Sequence, residues 1–102
     1  MNERAVEALV GAALKGVPQA VGTRAHGDAR CALGVIGEAC EGNPWFTNYE
    51  DYFDEERAGV CVVAGCVWTC KDGGESALVA HLNNAHSWDW LTIARKLGPD
   101  AA

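Results

Sequence analysis

The chain has 102 residues, the size of one domain with one modest hydrophobic core. Its 8 basic and 14 acidic residues leave a net charge of −6. Such a surface repels nucleic acid at long range and favours cations or basic partners. No run reaches the roughly 18 apolar residues of a membrane span.

The opening MNERAVEALVGAALKG carries Glu3 and Glu7 and lacks the basic start and cleavage pattern of a secretion signal. A cytoplasmic location is therefore expected (a host cytoplasm, for a phage-encoded chain). Thiols stay reduced there, and clustered cysteines are more often ligands than bridges. The 5 cysteines also leave one over in any full pairing. Hydrophobic content is 49%, inflated by alanine and glycine, so a metal staple would help a core built of small side chains.

In chain order, Val6, Leu9, Val10, Ala13 and Val17 recur at helical spacing and predict an amphipathic core helix ended by Gly16 and Pro18. PQAVGTRAHGDAR follows as a loop with room for a short strand, turning at His26-Gly27-Asp28. His26 reads as a surface turn residue with no catalytic partner nearby. RCALGVIGEAC reads as a short buried helix with Leu33, Ile36 and Cys40 near one face. Cys31 and Cys40 would then stand about 13 Å apart along its axis, too far to bridge. Both read as small core hydrophobes. A reactive thiol at Cys31, near the helix start, is the second reading.

Gly42-Asn43-Pro44 marks a turn and a change of composition. Trp45, Phe46, Tyr49, Tyr52 and Phe53 are interleaved with Glu50, Asp51, Asp54, Glu55 and Glu56. One reading is a short helix with Phe46, Tyr49 and Phe53 inward and a solvated acidic face. The other is a docking surface for a basic protein partner, made by Trp45, Tyr49, Glu50, Asp51, Tyr52, Asp54, Glu55 and Glu56. Aromatics anchor interfaces and carboxylates steer encounter.

CVVAGCVWTC and HLNNAH together give C-x4-C-x14-H-x4-H, with Cys61, Cys66, His81 and His86 as candidate ligands. Structural zinc sites pair cysteines and histidines at such spacings, because a tight turn delivers two thiolates and a helix two imidazoles to a tetrahedral ion. Val60, Val62 and Val63 suit a strand, Gly65 a positive-φ knuckle, and Val67, Trp68 and Thr69 the returning strand. Lys71-Asp72-Gly73-Gly74 reads as a turn, with Glu75 or Ser76 starting a helix that carries Leu78 and Leu82. Five positions on a helix are about 140° apart, so that helix must loosen or end near His86. Cys70 is a possible substitute for Cys61, and ordinary buried cysteines and histidines are the alternative to any metal. In the final SWDWLTIARKLG, Ser87 is expected to cap a helix with Asp89 in its first turn, Trp90, Ile93, Ala94 and Leu97 as its apolar stripe, and Gly98-Pro99 as its stop.

Through GCVW and LVAHLNNAH, residues 61–86 resemble a two-cysteine, two-histidine zinc finger. The resemblance implies a β-hairpin packed on a helix around zinc bound by Cys61, Cys66, His81 and His86. The chain departs from it in a longer loop between the ligand pairs and in Cys70, which stands where such fingers keep an aromatic. RCALG and HLNNAHSW are similar, more loosely, to segments of small bacterial and phage proteins of no established activity. That likeness implies one unified domain and no mechanism.

The expected fold is α+β and mainly α, a single domain over 1–102. A mainly helical part (1–58) and a C-terminal helix (87–98) flank a finger-like ββα unit (59–86). The expected function is that of a non-catalytic zinc-binding protein acting through protein–protein contact, as a bacterial or phage regulator or inhibitor of a basic partner. Nucleic-acid binding is weaker, because the helix start Gly74, Glu75, Ser76, Ala77, Val79 offers no Arg, Lys, Asn or Gln, the side chains reading fingers place there. An enzyme is also weaker: catalytic zinc keeps an open coordination position, and a Cys70–His81 nucleophile would require a metal-free site.

Overall fold

Asn2 begins the first helix by accepting the Ala5 N–H on its side chain at 3.0 Å, which satisfies one of the donors a helix start leaves free. This is helix α1 (Glu3–Leu14) of the computed structural model, which describes residues 1–57, 59–70 and 73–99. α1 buries Ala5 and Leu9, while Val6, Val10, Ala13 and Val17 lie at the core's margin. Gly16, at φ 71°, turns the chain away from it.

The following loop does contain a hairpin. β1 (Ala25–His26) pairs antiparallel with β2 (Ala29–Arg30) across Gly27, whose φ of 58° suits a tight primed turn. His26 is exposed on it.

Helix α2 (Ala32–Glu41) is the buried centre, with every residue from Ala32 to Gly37 inaccessible. It lies close to its neighbours because two positions have no side chain. A Cβ at Gly34 would collide with the Arg24 carbonyl, and one at Gly37 would lie 2.5 Å from the Asn43 carbonyl. Cys31 is the N-cap, its Sγ accepting the Gly34 N–H at 3.4 Å, and it is 5% exposed. It packs in the core, as a small core hydrophobe should.

Residues 45–56 form successive turns and no helix. Asparagine and aspartate side chains take the backbone donors a helix would use: Asn43 accepts from Trp45 N, Asn48 from Glu50 N and Asp54 from Glu56 N. Each is a local two-residue link that competes with helical bonding. The turns drive Tyr49, Tyr52 and Phe53 into the core beside α2. Tyr49 Oη donates to the Leu33 carbonyl at 2.7 Å, and Tyr52 Oη donates to Glu41 at 2.7 Å.

β3 (Gly59–Val60) and β4 (Thr69–Cys70) form a second antiparallel hairpin. It is followed by α3 (Glu75–Ala85) and α4 (Trp90–Leu97). The expected turn from Lys71 to Gly74 falls partly outside the described residues, at 71 and 72. Ser87 does not cap α4. It lies in the left-handed region at φ 53°, inside the turn that leaves α3. Asp89 is the cap instead and accepts the Thr92 N–H at 2.7 Å. Trp90, Ile93, Ala94 and Leu97 are all buried, as the stripe predicts.

The result is an α+β fold of four helices and two small hairpins. α1 packs on α2 and α4, and α2 packs on α3. Leu9, Ile36, Leu78, Leu82 and Ile93 lie at the centre of the core. Among the described residues, no helix is long and apolar enough to cross a membrane.

Candidate metal centre

The site is assembled from a hairpin and a helix end. The pairs Gly59–Cys70 and Val60–Thr69 set the register, and a Cys61 N–H to Trp68 carbonyl bond at 3.2 Å extends it. Alternation along this ladder turns Cys61 and Trp68 toward α3. The chain then tightens. Cys66 N–H donates to the Val63 carbonyl at 3.1 Å, Gly65 takes φ 84°, and Val63 N–H donates to Cys61 Sγ at 3.4 Å. This knuckle presents both sulfurs to one point.

α3 supplies the imidazoles and stops where their spacing requires. It ends at Ala85; His86 is its cap residue, and Ser87 swings the chain out at φ 53°. Trp88 N–H then closes back onto the Leu82 carbonyl at 3.1 Å. The two rings come within 4.9 Å of each other at 85°. A continuous helix would have held them about 140° apart.

Cys61 Sγ lies 3.4 Å from His86 Nε2, and Cys66 Sγ lies 3.5 Å from His81 Nε2. The four ligand atoms all lie within 4.8 Å of one another. A tetrahedral ion with sulfur at about 2.3 Å and nitrogen at about 2.05 Å separates S from N by roughly 3.6 Å. The observed spacings match that figure, so the group can hold a metal ion. Among the described residues it is the one such cluster. Cys70 is outside it: its Sγ faces Gly73, where an added Cβ would come within 2.7 Å. Trp68 stacks on His81 with ring centroids 4.2 Å apart and planes at 7°, which fixes the imidazole's orientation.

The electrostatics fit a cation. Burial, with His86 beside it, lowers the pKa of His81, leaving that imidazole neutral and free to ligate. Burial raises the Cys61 thiol; the Val63 N–H works against this, and Cys66 nearby adds to it. The buried Cys61 thiol resists ionising, and a divalent cation is the partner that would let it do so.

Sequence reading missed the residues that anchor this helix end. Asn83, fully buried between the histidines, accepts from Gln19 Nε2 at 2.9 Å and from Ala32 N–H at 3.1 Å, and donates to the Ala20 carbonyl at 2.9 Å. Asn84 accepts the Gly22 N–H at 2.9 Å, and Gln19 reaches the Trp88 carbonyl at 2.6 Å. The histidine-bearing end of α3 is thereby tied to the α1–α2 connection and the start of α2. No local pattern flags Asn83, because a mid-helix asparagine reads only as a weak helix former.

Glu75, expected only to start a helix, is 3% exposed. It accepts from Arg57 at 3.1 Å and from Asp54 N–H at 3.4 Å, and it pairs with the Met1 amino group.

The acidic-aromatic stretch divides. Trp45 is 56% exposed, and Glu50, Asp51, Asp54, Glu55 and Glu56 face solvent. Tyr49 and Tyr52 are core residues, 2% and 3% exposed, and form no part of a surface. Glu55 has a structural role as well: it accepts from Ser76 N–H at 2.9 Å and from Ser76 Oγ at 2.6 Å, capping α3.

Comparison of the chain with protein-family models, with curated proteins and with solved structures gives no match.

Proposed function

We propose that Cys61, Cys66, His81 and His86 bind one Zn2+ as a closed structural site, and that the protein is a non-catalytic module acting on a basic protein partner. The carrying observation is the pair of S···N separations, 3.4 and 3.5 Å, in a group of two thiols and two imidazoles, a ligand set that zinc favours. Four protein ligands leave no coordination position for a substrate or an activated water, which favours a structural over a catalytic ion.

The zinc-finger likeness of residues 61–86 supports the same ion. It does not extend to nucleic-acid binding, because the chain's net charge is −6 and a phosphate backbone would be repelled. The exposed acids at 50–56, with Trp45, suit a basic partner; a bacterial or phage regulator or inhibitor of such a protein fits this chemistry.

Cobalt substitution tests the ion. One equivalent of Co2+ should give the intense visible bands of a tetrahedral thiolate–imidazole site, and Zn2+ should displace it. A weak octahedral spectrum, or none, would reject the site. Glu50→Gln, Asp51→Asn, Asp54→Asn and Glu56→Gln together, with Glu55 kept because it caps α3, test the acidic contribution once a partner is in hand.

A further inference from the structure

The candidate metal site shields its two sulfurs unequally. Cys61 is 8% exposed, and its Sγ accepts the Val63 N–H at 3.4 Å. Cys66 is only half-buried, and among the described residues no backbone N–H donates to its Sγ. A thiolate's susceptibility to oxidants follows its charge and its exposure, so Cys66 is the sulfur that an oxidant in solution meets first. Cys61 Sγ waits within 4.8 Å of it. The two sulfurs must approach by at most about 2.8 Å to reach the ~2.05 Å of a disulfide. The chain between them has room for that move. Val62, Ala64 and Gly65 are exposed, and a Cβ at Gly65 would meet nothing within 4 Å. The other cysteines are occupied elsewhere: Cys31 caps α2 from inside the core, Cys40 Sγ points to the Arg4 carbonyl, and Cys70 Sγ faces Gly73.

The helix that carries the histidines is held independently of the sulfurs. Leu78 and Leu82 are fully buried in the core. Asn83 is bonded to Gln19, Ala20 and Ala32, and Glu75 in the first turn is bonded to Arg57 and Asp54. None of these links passes through Cys61 or Cys66. Release of an ion would therefore loosen the knuckle at 61–66 and leave α3 in place. Release without unfolding is what separates a reversible switch from damage.

We propose that Cys61 and Cys66 form a two-electron redox switch, through which a peroxide releases the zinc. This rests on the reading of the four residues as a zinc site and adds how that site is regulated. The Cys66 thiolate attacks one peroxide oxygen and breaks the O–O bond, giving Cys66 sulfenic acid and a hydroxide. The Cys61 thiolate attacks the sulfenic sulfur, forms the S–S bond and expels a second hydroxide. The two thiolates lose two electrons, and one hydrogen peroxide is reduced. The thiolate is the ligating form of cysteine, so His81 and His86 alone are left, too few to retain the ion. A dithiol reductant returns both thiols and restores the site.

Hydrogen peroxide added to the zinc-loaded chain tests this, with a chromophoric chelator reporting free zinc against a control without peroxide. One zinc should appear per disulfide formed. Peptide mapping should place that disulfide between Cys61 and Cys66, far-ultraviolet circular dichroism should keep its helical signal, and a dithiol with added zinc should restore the loaded chain. Cys31→Ser, Cys40→Ser and Cys70→Ser together should leave the release rate within about twofold of native, since none of the three is a reacting sulfur. Cys66→His, which keeps four ligands, should slow release by about tenfold or more, since it removes the exposed thiolate. Should that variant fail to load, the peptide map of the native chain decides alone. Retention of zinc under peroxide, a disulfide to Cys70 or between two chains, or loss of the helical signal on oxidation would each overturn the proposal. Metal content is measured before peroxide is added. A chain that takes up neither zinc nor cobalt at that stage rejects the metal site and this switch with it, whereas a loaded chain that fails the peroxide test rejects the switch alone.

Discussion

Lowering the pH should strip zinc from the proposed site with a steepness set by its two thiols. Burial pushes the Cys61 thiol up, against the Val63 N–H, and Cys66 beside it adds to the rise, so Cys61 enters the site protonated at neutral pH. His81 is already neutral, its pKa lowered by burial and then by His86, so it releases no proton on binding. Ligand cysteines bind a divalent ion as thiolates, so a site with two of them expels about two protons on loading. Each contributes a tenfold loss of affinity per pH unit, so the apparent zinc affinity should fall roughly 100-fold, about 2.7 kcal/mol, between pH 7 and 6. The lowered pKa of His81 delays its own competition for protons to still lower pH. The affinity is read by competition with a chromophoric chelator at several pH values, and the proton count by calorimetry in buffers of different ionisation enthalpy. A slope of one proton or none would mean that the two thiols are not both ligands, and the assignment of Cys61 and Cys66 would fail. An ion that binds the folded chain and not the unfolded one stabilises it by mass action, so the melting temperature at fixed zinc should fall as the pH is lowered.

Asn83→Ala should destabilise the chain by about 3 kcal/mol, since it strands the buried Ala32 N–H and Ala20 carbonyl. Denaturant unfolding of the zinc-loaded protein measures this, and a cost under about 0.5 kcal/mol would show that the network does not anchor α3. Ser87→Gly should raise stability by about 1 kcal/mol by relieving a left-handed residue at φ 53°, with zinc stoichiometry unchanged; a lower melting temperature would contradict it. Tyr49 has its pKa pushed up to about 12, first by burial. The folded value lies above the unfolded one near 10, so this contribution to stability is complete below about pH 10 and is lost as pH rises through about 12. Tyr52 is also raised, first by its hydrogen bond to Glu41 and then by burial, so ultraviolet titration should show both tyrosines ionising late, Tyr49 together with unfolding, and early reversible ionisation of both would refute the burial of Tyr49. Tyr49→Phe should cost roughly 1 kcal/mol by leaving the Leu33 carbonyl unpaired.

Much of this protein is readable along the chain, because some constraints are local. The spacing from Cys61 to His86 is one, since metal geometry acts through the few residues between each pair; it calls for α3 to loosen or end near His86, and α3 ends at Ala85 with His86 as its cap residue. The stripe of α4 is another, since helical periodicity is a property of one segment. The mainly helical α+β class follows from the same local patterns. Other features depend on which segments meet. The sequence leaves Tyr49 open between an inward face and a docking surface, and places Tyr52 only on the latter, until the turns at 45–56, held by asparagine and aspartate side chains, roll both onto α2. Asn83 and Glu75 are unremarkable letters whose partners lie far away in sequence, at Gln19, Ala20, Ala32 and Arg57. Spacing leaves Cys61 and Cys70 as rivals. The register of β3 on β4 separates them, by aiming one sulfur at the histidines and the other at Gly73. Periodicity and spacing report what neighbouring residues do to each other. The pairing of buried polar groups is a long-range requirement, satisfied only once the chain has closed on itself.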